Sequence, residues 1–145
     1  MTEFSAPNPD FADVVRRSFA AQTMMTTLGA TLDTVAPGFC RIHSTIPPGA
    51  LQQHGVGHAG LTFSIGDSAA GYAALSLMEA GVEVVTAEIK INLMAPARGT
   101  MLIAEGRVLR PGRRLMTVAS DVWAWSDAGR THIATLTGTM VPVSP

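Results

Sequence analysis

Apolar positions change their spacing along the chain, and each change predicts an element. Phe11, Val14, Val15 and Phe19 follow i, i+3, i+4 spacing, with Asp10 placed to cap a helix and Gly29 placed to stop it. Two short β-prone stretches follow, near 30–35 and 39–46, parted by Pro37 and Gly38, and read as a hairpin. Residues 47–57 have the composition of a loop. From 58 to 80 the chain is small and apolar with no interior proline, which predicts a long helix closed by Gly81. Leu61, Phe63, Ile65, Ala69, Tyr72, Ala73, Leu75 and Leu77 lie on nearly every side of it, so this helix is enclosed by other structure.

The period then drops to two. Over 84–93, Val85, Ala87, Ile89, Ile91 and Leu93 fall on one face and Thr86, Glu88, Lys90 and Asn92 on the other, the pattern of a half-buried strand. Three more β-prone stretches, at 101–109, 115–125 and 132–141, are divided by turns around Arg98-Gly99, Pro111-Gly112 and Asp127 to Arg130, which implies a meander. A buried helix followed by consecutive antiparallel strands is an α+β arrangement in which one sheet wraps the helix.

Composition narrows the picture. The 145 residues suit one domain, 1–145, with 1–9 expected to be a loose leader. Charged residues make up 14% against a usual value of about 25%, while 47% are hydrophobic, so a lone globule would cover its surface poorly and self-association is expected. No apolar run approaches the roughly 18 residues of a membrane span, and Met1 to Asp10 lacks the basic start of a secretory signal. A cytoplasmic protein is expected, with no membrane partner. A net charge of −1, without a long basic run, argues against nucleic acid. The single Cys40 rules out an intrachain disulfide framework and a cysteine-rich zinc site, and reads as a buried strand residue.

Chemistry is sought where polar groups interrupt the apolar helix. A carboxylate at Asp67 is costly to bury there unless it is paired or has a purpose. Gly60, Ser64, Asp67 and Gly71 share a helical stripe of small residues along which a substrate could approach, and desolvation there would raise the Asp67 pKa toward that of a base or nucleophile at neutral pH. The alternative is an internal hydrogen-bonding Asp that fastens the helix to the sheet. His58, Ala59 and Gly60 open the helix, where free N–H groups and the positive dipole end could form an oxyanion hole. Such donors are typically worth about 3 to 4 kcal/mol of barrier each. Asp67 lies roughly 12 Å further along the helix by its rise per residue, too far to serve the same carbonyl. If two helices lie antiparallel across a two-fold axis, the entrance of one meets Asp67 of the other.

His58-Ala59-Gly60, then Asp67, then Thr86 before Asn92, Pro96 and Ala97 together resemble the hotdog-fold acyl-CoA thioesterases of the phenylacetate-pathway (PaaI-like) type, over about 11–141. The resemblance implies a sheet wrapped around a long central helix, a homodimer or tetramer, an acyl-CoA substrate and no cofactor. It makes the Ala59 N–H the oxyanion donor and Asp67 of the partner subunit the base or nucleophile. Gln52 falls where the family often has an Asn that orients substrate or water, and Thr86 where a Ser or Thr assists the attacking water. Arg110 and Arg113 fall where basic residues often meet the coenzyme A phosphates. Gln52 and Ala59 depart from the family pattern, Ala59 replacing a Gly while still supplying an N–H.

Other signals are read as structural. His54 and His58 lack a clear third ligand, so no metal is expected. Residues 55–60 match G-x-G-x-x-G without the preceding strand of a dinucleotide site, and Ser68 is out of frame for G-x-S-x-G. Trp123 and Trp125 share a strand face, as packing or interface residues. Arg107, Arg110, Arg113 and Arg114 read equally as a solvated turn. Two functions stay open: an acyl-CoA thioesterase, or a non-catalytic hotdog module that binds acyl-CoA or a related acyl ligand.

Overall fold

The computed structural model describes residues 3–145. The chain runs α1 (Phe11–Ala21), α2 (Thr23–Thr27), β1 (Ala30–Ala36), β2 (Phe39–Thr45), α3 (Ala59–Leu75), β3 (Glu83–Leu93), β4 (Met101–Arg110), β5 (Met116–Ser126) and β6 (Gly129–Val143). The strands form one antiparallel sheet in the order β1-β2-β4-β5-β6-β3, and α3 packs along one face of it.

Close contact between α3 and the sheet is made possible by glycine. A Cβ on Gly106 of β4 would lie 2.1 Å from the Ala69 carbonyl carbon, so strand and helix backbones meet there without an intervening side chain. Gly66 of α3 likewise makes room for Leu136 of β6. Around these contacts Ile65, Ala69 and Ala73 of the helix pack with Ile42, Leu102, Val118, Val122, Leu136 and Met140 of the sheet, all fully buried.

Several expectations are corrected in detail. The first helix is broken at Gln22, which is extended (φ −78°, ψ 102°). The Gln22 N–H closes α1 on the Phe19 carbonyl, and the threonines of Thr23–Thr27, stiff at χ1, continue only as a short second helix. Asp10 occupies the N-cap without a side-chain cap bond. Asn8 acts instead, its Oδ1 accepting the Asp10 N–H at 3.0 Å. The loose leader expected over 1–9 falls partly on residues 1 and 2, outside the described residues; of the remainder, Asn8 is buried and Phe4 lies against Gly38.

The long helix ends at Leu75 rather than near Ala80. Ser76 is the reason. Its Oγ donates to the Ala73 carbonyl at 2.6 Å and accepts the Gly38 N–H from the β1–β2 turn at 2.8 Å, while the Leu77 and Met78 amides make tight i−3 bonds. The helix terminus is thereby fastened to the hairpin.

Strand β3 departs from the alternation that the sequence predicts. Its register against β6 shifts between Thr86 and Glu88, so Ala87 is the extra residue of a β-bulge. Val84, Ile89 and Ile91 pack against the core while Val85 and Leu93 are 46% and 54% exposed, so the expected face of Val85, Ala87, Ile89, Ile91 and Leu93 is split in two. β3 is also an eleven-residue edge strand with one side unpaired.

Two glycine substitutions should separate packing from propensity. Gly106→Ala is expected to destabilise the fold by about 1–3 kcal/mol or more through overlap with the α3 backbone. Gly71→Ala, where a Cβ meets nothing within 4 Å, should instead stabilise it by about 0.5–1 kcal/mol. Urea unfolding of both variants measures the difference.

Candidate active site

Ala59, Gly60, Phe63, Ser64, Asp67 and Ser68 are the residues of α3 that are not buried. They recur at helical spacing and form one uncovered stripe over the N-terminal half of the helix. The helix is therefore enclosed on all sides but this one.

Asp67 stands half-buried on the stripe, and its Oδ1 accepts a 2.8 Å hydrogen bond from Thr86 Oγ1 of β3. Burial pushes the Asp67 carboxyl above the ordinary carboxylate value, and the Thr86 hydroxyl pulls it partly back. The Ala87 bulge explains how Thr86 reaches Asp67. By breaking the two-residue period after Thr86 it puts Val84 and Thr86 on the same face as Ile89 and Ile91, the face toward α3, where Thr86 Oγ1 also lies 3.3 Å from Met140 Sδ.

At the helix entrance, His58 is the N-cap. Its Nδ1 accepts the Gly60 N–H at 2.8 Å, and its carbonyl oxygen accepts from Leu61 and Thr62. The Ala59 N–H is left without a partner among the described residues, at the positive end of a seventeen-residue helix. Ser64 Oγ donates to the Gly60 carbonyl at 2.7 Å and so is engaged with its own helix. The Gln52 side chain is turned back into its loop, where its Oε1 accepts the His54 N–H. Ala59 and Asp67 share the stripe but are separated along it by roughly 12 Å of helix rise.

A cleft of about 220 Å³ opens beside Asp67, lined by Ser68, Gly71 and Tyr72 of α3, by Ser18 and Gln22, and by Glu83, Val84 and Thr86 of β3. The cleft-forming role of Ser18, Gln22 and Tyr72 was not legible in the sequence, where Tyr72 reads as one more apolar core position. The one signal was that Tyr72 follows Ser68 by four residues, just as Gly71 follows Asp67.

Arg110 and Arg113 lie elsewhere. Arg113 lines a second, largely apolar cavity of about 450 Å³ with Leu77, Met78, Pro111, Met116 and Pro142, beyond the C-terminal end of α3, and Arg110 ends β4. One chain does not bring them to Ala59. Arg107, grouped with them in the sequence, sits within β4 and pairs with Asp121 at 2.6 Å. Among the described residues no three of His, Cys, Asp and Glu are grouped to hold a metal ion, and no helix is long and apolar enough to cross a membrane.

Comparison with known proteins fits this geometry. The profile of the thioesterase superfamily matches residues 54–135, which include the helix entrance, Asp67 and Thr86. A provisionally named esterase of Deinococcus radiodurans is 34% identical over 66% of this chain, and the match spans 63% of that relative's own length. The crystal structure of a thioesterase family protein from Silicibacter pomeroyi is 40% identical with a TM-score of 0.91, covering 93% of this chain and 99% of that one. The PaaI protein of the E. coli phenylacetic acid degradation operon, 18% identical, shares the fold with a TM-score of 0.83 over 96% of this chain and 97% of its own. The chain belongs to the thioesterase superfamily, on the hotdog fold that it shares with PaaI.

Proposed function

We propose that this protein hydrolyses acyl-coenzyme A thioesters in a site built by two copies of the chain. The observation that carries this reading is Asp67: a carboxylate raised by burial, held by Thr86 and facing the one uncovered stripe of α3. A base whose pKa is moved toward neutrality, with one oxygen fixed and the other free, suits abstraction of a proton from water.

In this mechanism the thioester carbonyl of acyl-CoA accepts a hydrogen bond from the Ala59 N–H of one copy. Asp67 of the other takes a proton from a water that attacks the carbonyl carbon. The tetrahedral oxyanion is stabilised at the helix entrance, and its collapse breaks the C–S bond. The proton on Asp67 passes to the departing thiolate, giving free acid and CoA. Direct attack by Asp67 uses the same contacts, expels CoA thiolate and leaves a mixed anhydride; when water then opens it at the aspartyl carbonyl, labelled solvent oxygen enters the Asp67 carboxylate in a single turnover, which general-base catalysis never does.

Two copies are required because Ala59 and Asp67 are too far apart within one. The open edge of β3 and the uncovered stripe of α3 adjoin through the Thr86–Asp67 bond, and both carry apolar surface, with Phe63, Val85, Leu93 and Met94 exposed. A long unpaired edge strand invites pairing with another chain, so a two-fold dimer through β3 covers edge and stripe together. Pairing of such dimers would give a tetramer. Gly60 and Ser64 then border the thioester, and Arg110 and Arg113 are left for the CoA phosphates, with the pantetheine arm bridging the gap. The binding-module alternative has one observation in its favour, the engagement of Gln52 with its own loop.

Asp67→Asn should lower turnover of acyl-CoA by about 10²–10⁴-fold while CoA binding persists; undiminished turnover would remove Asp67 from the mechanism. In wild type, kcat/KM should fall as pH drops through the raised Asp67 pKa, and Thr86→Val, which deletes the donor that lowers it, should move that limb to higher pH. Linkage gives stability the opposite sense. With the folded pKa above the unfolded value, the folded state binds the extra proton, so stability from this group is present at low pH and lost as pH rises through the folded pKa. Asp67→Asn should therefore unfold at a higher temperature than wild type at neutral pH. Val85→Glu on the β3 edge should yield monomers by light scattering and abolish turnover with Asp67 intact.

A further inference from the structure

Gly71 has no packing partner to explain it. Glycines 66 and 106 are required by close neighbours, whereas a Cβ at Gly71 would meet nothing within 4 Å although the residue is buried in the interior of α3. A glycine in a helix interior weakens it, and what its missing side chain leaves here is space, one turn along from Asp67 in the 220 Å³ cleft. One wall of the cleft is Tyr72, 3% exposed, whose hydroxyl accepts from Gln22 Nε2 at 2.7 Å and shares a hydrogen bond with Ser18 Oγ at 3.2 Å. Two hydroxyl protons serve that single Tyr72–Ser18 bond, so whichever oxygen donates, one O–H is left with no acceptor among the described residues.

Building on the thioesterase reading above, we infer that this cleft is the acyl subsite, that Gly71 sets its width, and that the Tyr72–Ser18–Gln22 group selects compact acyl chains ending in oxygen. An alkyl chain laid across Ser68, Ser18 and Gln22 would desolvate these groups without pairing them. A terminal oxygen accepts a hydrogen bond from the spare hydroxyl, and a site built to bond such a group discriminates against the analogue that lacks it. Long chains are stopped by Tyr72, which Phe19 backs edge-to-face with ring centroids 6.0 Å apart.

The test is kcat/KM of the full chain for acetyl-, hexanoyl-, 6-hydroxyhexanoyl- and decanoyl-CoA, in wild type and in Gly71→Ala, Gly71→Leu and Tyr72→Phe, with thermal unfolding to verify folding. Wild type should prefer 6-hydroxyhexanoyl over hexanoyl by about tenfold or more, and decanoyl should be the poorest of the six-carbon and longer chains. Tyr72→Phe should bring the hydroxyl preference close to unity. Gly71→Leu should depress both six-carbon substrates relative to acetyl by about tenfold, with Gly71→Ala intermediate; purely structural damage would lower all four alike. Turnover with substrate ratios unchanged in every variant, or a wild-type preference for decanoyl, overturns the subsite and leaves the thioesterase reading standing. No turnover of any thioester by wild type overturns both.

Discussion

A seventeen-residue helix that is apolar on all but one narrow stripe must be covered almost all round, and the rest of this structure follows from how far one chain can cover it. The sheet takes one side, reaching the helix backbone itself at Gly106. The amino-terminal helices take another, with Phe19 edge-on to Tyr72. What remains is a stripe of small and polar residues beside an open strand edge, carrying the free Ala59 N–H and the Asp67 carboxylate. Incomplete coverage and candidate chemistry thus occupy the same place.

Two carboxylates show how local partners decide charge. Asp67 and Asp121 are both drawn upward by burial. Asp67 has only the Thr86 hydroxyl to oppose that and stays raised. On the other face of the sheet, Asp121 is met by Thr135, Arg107 and His132, which outweigh its burial and hold it below the ordinary value. Burial thus wins at Asp67, with its single hydroxyl partner, and loses at Asp121, with its three polar and charged partners.

Much of this was readable from the residues. Alternating and helical periods located the hairpin, the meander and the long helix, and Asp67 stood out because ionised groups are rare in so apolar a helix. The misreadings share a cause: each depended on contacts distant in sequence. The pattern over 84–93 reads the same with or without a bulge, and only pairing with β6 shows that Ala87 is the extra residue and that Thr86 turns inward. The break at Gln22 and the polar role of Tyr72 are one tertiary contact seen from two sides. The role given to Arg110 and Arg113 came from resemblance and not from the residue pattern, and within one chain Arg113 lies beyond the C-terminal end of α3.

Ser76 joins two parts of the molecule through one oxygen, which holds both the end of α3 and the Gly38 amide of the hairpin turn, whose carbonyl in turn accepts from Val108 of β4. Fraying the helix terminus therefore frees the turn, and loosening the turn removes a tie from the terminus. A shared hydrogen-bonding atom of this kind couples the opening of the two segments. The two ends of α3 are thus held by different parts of the chain, the C-terminal end by the hairpin through Ser76 and the entrance through the His58 amide on the Ala50 carbonyl and the Gly57 amide on the Ala97 carbonyl.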